Sequence, residues 1–354
     1  MRRLVVALLL LVQSVSARLG LWYNSHLGCA RHASSTLLLS VVLTTSNTDA
    51  GQVQRLQTAL DLMAIQAVKH QMRERVELVI VEYNYDAGAP SLREMLKLAD
   101  GLPLVRILRV PASVHALLVG KMGVPFRVNF LEYPAKNLGI RRACGQFVLV
   151  TNPDIILAEA FYQYISVAGL SHDAYYRMPR CNVNLAVGDM PPEQIMAKLP
   201  DALDGDCWHG LPQPGDWREY VKSTMDLNNL PAGEKYRECV FAPGDFTLLS
   251  REFYFHIRGY PELALPTQLD DVPVWQAVAA GKALIVLPRP AVTWHINHGK
   301  GYNTADDRWS QAETMKQAYR LEEAGRRMMA SRHLEILNDY SWGLPHHTLQ
   351  EVTF

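Results

Sequence analysis

The chain has 354 residues, and its 35 Lys and Arg are balanced by 35 Asp and Glu, so the formal net charge at pH 7 is zero. Apolar residues make up 49% and charged residues 20%, an ordinary globular balance that excludes a chain disordered throughout. A neutral balance also argues against wholesale binding to a nucleic-acid backbone, which needs a clear excess of positive charge. We therefore expect no nucleic-acid partner, and one large or two smaller globular domains.

Residues 1–17 have the order of a secretory signal. Arg2 and Arg3 precede an apolar run over 4–12, and the segment 14–17 carries small residues before a potential cleavage site. The run is shorter than the ~20 residues that span a bilayer comfortably. The pattern favours a cleaved signal peptide and leaves a short signal-anchor open. We therefore expect the protein in the ER or Golgi lumen, either secreted or attached to the membrane through its N-terminus.

Cysteine usage suits such an oxidising compartment. The five cysteines are Cys29, Cys144, Cys181, Cys207 and Cys239. Two disulfides and one leftover thiol are compatible with this number, and the spacings do not fix which cysteines pair. No pair has the Cys-x-x-Cys spacing of a zinc or redox site.

Hydrophobic patterns predict an α/β fold. Apolar β-branched runs predict strands, and apolar positions at i, i+3, i+4 and i+7 predict helices. In chain order the patterns predict a strand at 37–45, a helix at 51–72, a strand at 76–82, a helix at 91–99, strands at 104–110 and 146–151, a helix at 158–169 and a strand at 174–178. After an irregular, Pro-rich insertion at 185–240 they predict a strand at 246–249, a helix at 272–280, strands at 283–287 and 291–296, and a surface helix at 308–329. The strand–helix alternation implies a mostly parallel sheet with right-handed crossovers.

Polar residues follow four of these strands, and in open parallel sheets ligands bind outside the carboxyl ends of the strands. The residues are Thr44 with Thr45, Glu82, the tripeptide Asn152-Pro153-Asp154, and His295. Each also has a plain structural interpretation, because Asn, Pro and Asp are ordinary turn residues and a threonine or histidine can simply close a strand. The strand ends alone leave both interpretations open.

A longer pattern resembles the family-2-like glycosyltransferases of the GT-A type. In that family an Asn-x-Gly-x-x-x-Ala-x-Gly stretch leads into a strand that ends in Asp-x-Asp or Asn-x-Asp. Residues 137–145 and 152–154 have this order. The segments at 244–246 and 259–262 look like the acceptor-binding side of the family. Asp270-Asp271 stands in the place of its Glu-Asp pair. His295 is similar to a histidine that the family has near the C-terminal end of the fold. Glu82, Asn152 and Asp270 depart from the residues that are usual at their positions.

The resemblance implies a GT-A fold, which is Rossmann-like with a mostly parallel sheet, over residues 36–300. It assigns the nucleotide-sugar to 36–155 and the acceptor to 241–300, and leaves 301–354 as a C-terminal helical tail. Other enzyme classes are disfavoured, since the sequence has no Gly-x-Gly-x-x-Gly after a strand, P-loop, His-Glu-x-x-His or Gly-x-Ser-x-Gly motif.

The resemblance further implies a hexosyltransferase-like enzyme that moves a sugar from a nucleotide-diphosphate donor to a hydroxyl of a glycan or glycoconjugate. A divalent cation, Mn²⁺ or Mg²⁺, would neutralise the leaving diphosphate. Its predicted ligands are Asp154 and His295, with His298 as the substitute for His295. The predicted donor-binding residues are Thr44, Thr45, Glu82, Lys136, Asn137, Arg141 and Asn152.

The general base is predicted at Asp271, with Asp270 as the second candidate, and direct attack by the acceptor would invert the anomeric configuration. Either acid has an alternative role, because carboxylates at a helix N-terminus stabilise the helix through its dipole. Two other functions stay open. One is a catalytically inactive GT-A-like protein that binds glycan or nucleotide, which the presence of Asn152 in place of Asp motivates. The other is a disulfide-linked interaction domain.

Overall fold

A computed structural model describes residues 29, 37–123, 128–187, 190–205, 207, 244–263, 269–287, 289–298 and 311–354. The predicted signal at 1–17, most of the predicted insertion at 185–240, and Cys239 lie outside these residues.

Eleven strands and nine α-helices are formed in the described part of the chain. The strands are β1 Leu39–Thr45, β2 Val76–Tyr83, β3 Leu104–Val110, β4 Phe147–Val150, β5 Ile155–Leu157, β6 Ala174–Arg177, β7 Arg180–Val183, β8 Thr247–Ser250, β9 Ala283–Val286, β10 Thr293–Ile296 and β11 Gln350–Thr353. The helices are α1 Ala50–Lys69, α2 Leu92–Met95, α3 Ala112–Met122, α4 Glu132–Arg142, α5 Glu159–Val167, α6 Pro192–Lys198, α7 Arg251–Ile257, α8 Val272–Ala279 and α9 Gln311–Ser331.

The larger sheet has eight strands in the order β11-β3-β2-β1-β4-β8-β6-β9. Neighbours from β3 to β4 are parallel, β8 is antiparallel to both β4 and β6, and β9 is parallel to β6. The mostly parallel sheet predicted from the alternation of strands and helices is therefore confirmed. A smaller sheet has the order β5-β10-β7, in which β10 is antiparallel to β5 and parallel to β7.

Successive residues of β1 point into two different apolar cores. Val42 packs into the core beneath α3, α4, α7 and α8, whereas Val41 and Leu43 pack into the core beneath α1 and α5. A strand that is covered on both faces reads as a continuous apolar run, which explains the composition of β1 and β2.

Two glycines let α4 and the following turn approach β1 closely. A Cβ atom on Gly139 would lie 2.5 Å from Val42 Cγ1, and one on Gly145 would lie 2.6 Å from the backbone N of Ser40. Both distances are too short for a side chain, so only glycine fits. The close contact fixes α4 against the sheet and thereby positions the residues at its N-terminal end.

The C-terminal segment differs from the predicted helical tail at 301–354. It contains the helix α9, but its last residues form β11, which pairs antiparallel with β3. The buried guanidinium of Arg106 secures this pairing with an ion pair to Glu351 (Nε–Oε1 2.7 Å) and a second one to Glu77 (Nη1–Oε2 3.0 Å). The segment Gln350–Thr353 is short and largely exposed, so it carries no apolar pattern that predicts a strand.

Several short elements also depart from the prediction. The helix predicted at 91–99 is the single turn α2, which Ser91 and Glu94 start as a capping box. Helix α6 lies within the predicted irregular insertion, and none of α3, α4, α7, β5 and β7 was predicted. Strand β5 has only three residues, which offer too few positions for periodicity to reveal a strand.

Two disulfides are described, Cys29–Cys144 and Cys181–Cys207. They supply the pairing that the cysteine spacings left open. None of the described helices is both long and apolar enough to cross a bilayer.

Candidate functional site

An Asp-His-His cluster lies where the large and small sheets meet. Asp154 follows β4 and directly precedes β5, while His295 lies in β10 opposite Ile155 of β5. His298 follows the end of β10. Asp154 Oδ2 lies 2.8 Å from His298 Nε2 and 3.4 Å from His295 Nε2. The antiparallel pairing of β5 and β10 therefore brings together residues more than 140 positions apart in sequence.

The donor set of the cluster fits a divalent cation. One ligand atom from each of the three residues lies within 4.8 Å of the others. Asp154 Oδ1 is buried and has no hydrogen-bond partner among the described residues, so this carboxylate oxygen is available to bind a cation. Burial alone would raise the pKa of Asp154, but the hydrogen bonds and positive charge of the two imidazoles outweigh it and hold the pKa below its ordinary value.

Asn152 contacts a buried carboxylate that the sequence analysis did not single out. Asn152 Nδ2 donates a hydrogen bond to Asp245 Oδ1 (2.9 Å), and Asp245 Oδ2 forms an ion pair with Arg180 Nη1 (2.8 Å). Burial raises the pKa of Asp245. The positive charge of Arg180 opposes this rise, and the negative charge of Asp154 adds to it. The Gly244-Asp245-Phe246 segment was the only sequence signal for Asp245, and no local pattern marks Arg180.

Lys136 and Asp270 belong to a second, buried charge cluster. Lys136 Nζ lies between Glu132 Oε1 (2.6 Å) and Asp270 Oδ1 (3.3 Å), and Tyr133 Oη donates to Asp270 Oδ2 (2.9 Å). Burial would lower the pKa of Lys136, but the charges of Asp270 and Glu132 raise it well above its ordinary value. Lys136 is thus paired with carboxylates in the protein, and its contact with a donor diphosphate stays a prediction.

Asp271 is next to this cluster in sequence but has a different environment. It precedes α8, is largely buried, and makes no side-chain hydrogen bond to the first turn of that helix. Burial raises the pKa of Asp271 to about 8; Arg177 opposes the rise, while Asp270 and Glu322 add to it. The side chain of Asp271 therefore does not cap α8 by the hydrogen bond that is usual for a carboxylate at a helix N-terminus.

Three predicted donor-binding residues lie at the ends of β1 and β2. Thr44 and Thr45 are buried, and Thr45 donates a hydrogen bond into α1. Glu82 is also buried, where Oε1 accepts from the backbone N of Leu92 (2.8 Å) and Oε2 from Arg109 Nε (2.6 Å). Both oxygens of Glu82 thus have partners within the protein, and its contact with a nucleotide stays a prediction.

Asn137 and Arg141 contact parts of the protein outside both clusters. Asn137 donates to the backbone O of Tyr260 and accepts from its backbone N, both at 2.8 Å. The Arg141 guanidinium lies over the ring of Trp342, 4.5 Å from its centroid, and burial lowers the pKa of Arg141 to about 10. Arg141 lies in the last turn of α4, outside the cluster around Lys136, and its contact with the donor stays a prediction.

Comparison with known proteins adds information on the fold. No protein-family model matches the sequence, and no curated protein matches it. Among solved structures the chain is similar to S. aureus TarS in complex with UDP-GlcNAc, with 14% identity, 84% of this chain and 72% of that chain covered, and a TM-score of 0.51. It also matches GalNAc-T7 with UDP, GalNAc and Mn²⁺, with 14% identity, and 86% of this chain and 53% of that chain covered. The TM-score of this match is 0.46, too low to support the assignment of the fold. The chain therefore has a mixed α/β architecture with a large, mostly parallel sheet that matches the GT-A fold of glycosyltransferases.

Proposed function

We propose that this protein is a glycosyltransferase that moves a sugar from a nucleotide-diphosphate donor to a hydroxyl of a glycan or glycoconjugate. The observation that carries the proposal is the cluster of Asp154, His295 and His298 on a sheet of the GT-A type. Asp154 follows the carboxyl end of β4, which is the edge where open α/β sheets bind their ligands.

The proposed cofactor is a divalent cation held by the three residues of the cluster. When bound, it would neutralise the charge that develops on the diphosphate leaving group. Asp154 supplies a hard oxygen donor, and the two imidazoles favour Mn²⁺ over Mg²⁺, which prefers all-oxygen sites. Asn152, two residues before Asp154, is proposed to contact the same cation or the donor.

Asp271 is the proposed general base, which accepts the proton of the acceptor hydroxyl as that oxygen attacks the sugar. Its neighbour Asp270 already has both carboxylate oxygens engaged, by Tyr133 and Lys136. A single base with direct attack gives inversion at the anomeric carbon. The raised pKa of Asp271 supports this role, since a base with a pKa near the working pH transfers protons most efficiently.

The proposed location is the lumen of the ER or Golgi. The order of residues 1–17 supports entry into the secretory pathway, with membrane attachment through the N-terminus as one form. The disulfides Cys29–Cys144 and Cys181–Cys207 support an oxidising compartment.

A binding protein without turnover is the second candidate. Asn152 in place of a carboxylate is the observation that favours it, because an amide is a weaker cation ligand than Asp. Such a protein would bind a nucleotide-sugar without cleaving it, so no free nucleotide would form.

Thermal shift of the full chain tests donor binding. Ligands that bind only the folded state raise the melting temperature, so a panel of UDP- and GDP-sugars is measured with Mn²⁺ and with EDTA, beginning with UDP-GlcNAc. At least one donor is expected to raise the melting temperature with Mn²⁺ only. Asp154→Ala is expected to abolish the shift, while Asp173→Ala, at an exposed side chain, is expected to keep it. No shift with any donor in the wild-type protein would contradict the proposal.

A further inference from the structure

We propose that Asp245 is a positioning residue that fixes the orientation of the Asn152 amide, so that Asn152 Oδ1 is presented to the cation of the neighbouring cluster. This inference rests on the cation site of the proposed function. It explains why Asn is compatible with the first position of the Asn-Pro-Asp tripeptide.

The pairing of β4 with β8 brings the two side chains together. These strands are antiparallel, with Val150 opposite Thr247, so the residues after β4 lie beside those before β8. Thr151 Oγ1 donates to the backbone O of Asp245 at 2.6 Å, and Asn152 Nδ2 donates to Asp245 Oδ1 at 2.9 Å. Two consecutive residues after β4 therefore hold Asp245 in a fixed register.

The chemistry of the partner decides which way the amide faces. Asn152 Nδ2 donates to a carboxylate oxygen of Asp245, so the group of Asn152 that faces Asp245 is the NH₂. With the NH₂ engaged by Asp245, the Oδ1 atom is the remaining end of the Asn152 amide, and the proposal assigns it to the cation. Partners that orient metal ligands in this manner are known to control metal affinity.

Arg180 is the charged partner of Asp245. Its Nη1 lies 2.8 Å from Asp245 Oδ2, while its Nε donates to Asn182 Oδ1 at 2.9 Å, so the guanidinium is held at two points. Asp245 is only 3% exposed, and a buried carboxylate needs such a counter-charge. An Asp at position 152 would instead place a second carboxylate against Asp245, which like-charge repulsion disfavours. Asn152 and Asp245 are therefore a matched pair.

An exchange of the two residues tests the pair without any metal. Melting temperatures are measured in EDTA for wild type, Asn152→Asp, Asp245→Asn and the double exchange. Asn152→Asp is expected to lower the melting temperature by roughly 3–6 °C, because it opposes two carboxylates. The double exchange restores one donor and one acceptor, so it is expected to recover most of the loss caused by Asn152→Asp. Strictly additive losses would overturn the pairing.

Mn²⁺ affinity, measured by isothermal titration calorimetry, tests the positioning role. Asp245→Ala is expected to weaken Mn²⁺ binding by about 10–100-fold, as for other residues that orient metal ligands, while Asp173→Ala leaves it unchanged. A residue with only a structural role would change the melting temperature but not the affinity of the folded protein.

Two results would overturn the positioning role: wild-type Mn²⁺ affinity in Asp245→Ala, or no Mn²⁺ binding by the wild-type protein. If the wild type binds Mn²⁺ and the exchange recovers stability, but no sugar is transferred, the proposed function fails and the role of Asp245 stands.

Discussion

Replacing Asp271 by Asn separates a catalytic base from an acid that only caps a helix. Asn is close to Asp in size but cannot accept the proton of an attacking hydroxyl. Asp271 lies at the start of α8 and is only 7% exposed, so both its chemistry and its burial contribute to the expected effects.

The effect on turnover follows from the base assignment. Loss of a positioned general base lowers turnover by about 10²–10⁴-fold. Donor affinity is expected to change little, because the base acts on the acceptor hydroxyl. A capping acid would behave differently, since its loss costs about 1 kcal/mol of stability and leaves the turnover of the folded protein intact.

Asp271→Asn is expected to lower turnover but to raise the stability of the folded protein, and the gain in stability depends on pH. Burial raises the pKa of Asp271 from 3.8 to about 8, with Asp270 and Glu322 adding to the rise and Arg177 opposing it. Ionising Asp271 in the folded protein therefore costs up to roughly 6 kcal/mol, at 1.36 kcal/mol for each pKa unit. Because the folded-state pKa is raised, the wild type loses stability as pH increases from about 4 to about 8. The Asn variant avoids this loss and is expected to be the more stable protein at pH 9.

Initial rates of nucleotide release between pH 6 and 9, and denaturant unfolding at pH 5 and pH 9, measure both effects. Wild-type turnover is expected to rise towards pH 8 as Asp271 ionises. Asp270→Asn is the matched comparison and is expected to cost stability more than turnover, because it leaves Lys136 with fewer counter-charges. Collapse of turnover in Asp270→Asn alone would identify Asp270 as the base. Retained turnover in both variants would refute a carboxylate base at either position.

His298→Ala is expected to weaken Mn²⁺ binding at least about tenfold, which calorimetry measures, because His298 makes the shortest contact in the cluster; unchanged affinity would remove it from the ligand set. Cys144→Ser, which opens the Cys29–Cys144 link across 115 residues, is expected to lower the unfolding free energy, by at most about 5 kcal/mol on loop entropy. An unchanged denaturation midpoint would contradict a stabilising link. Glu351→Ala removes one partner of the buried Arg106 and is expected to cost about 1–3 kcal/mol in the same assay, whereas no loss would show that β11 does not stabilise the sheet.

The central part of the fold could be predicted because its strands are buried on both faces. The runs in β1 and β2 are apolar throughout, and their alternation with helices is enough to predict a parallel sheet. Asp154 and His295 were expected together from the family pattern, and the structure brings them together with His298. Their role as metal ligands stays a prediction.

The remaining features depend on contacts between distant parts of the chain. Asp245 meets Asn152 only because β8 inserts antiparallel beside β4, and no local pattern encodes that register. Lys136 and Arg141 lie on one helix and both carry positive charge, yet one meets Asp270 and the other packs on Trp342. Residue type suggested the same role for both, and only tertiary packing separates them.

Cation-dependent release of nucleotide from a nucleotide-sugar is the most direct measure of whether this protein is a transferase. The full chain is incubated with UDP-GlcNAc and other UDP- and GDP-sugars, and the free nucleotide is quantified with Mn²⁺, with EDTA, and for Asp154→Ala. We predict release that requires Mn²⁺, is lost in Asp154→Ala and persists in Asp173→Ala. Donor binding without any release above the EDTA control, in protein that unfolds cooperatively, would contradict the transferase and favour a binding protein.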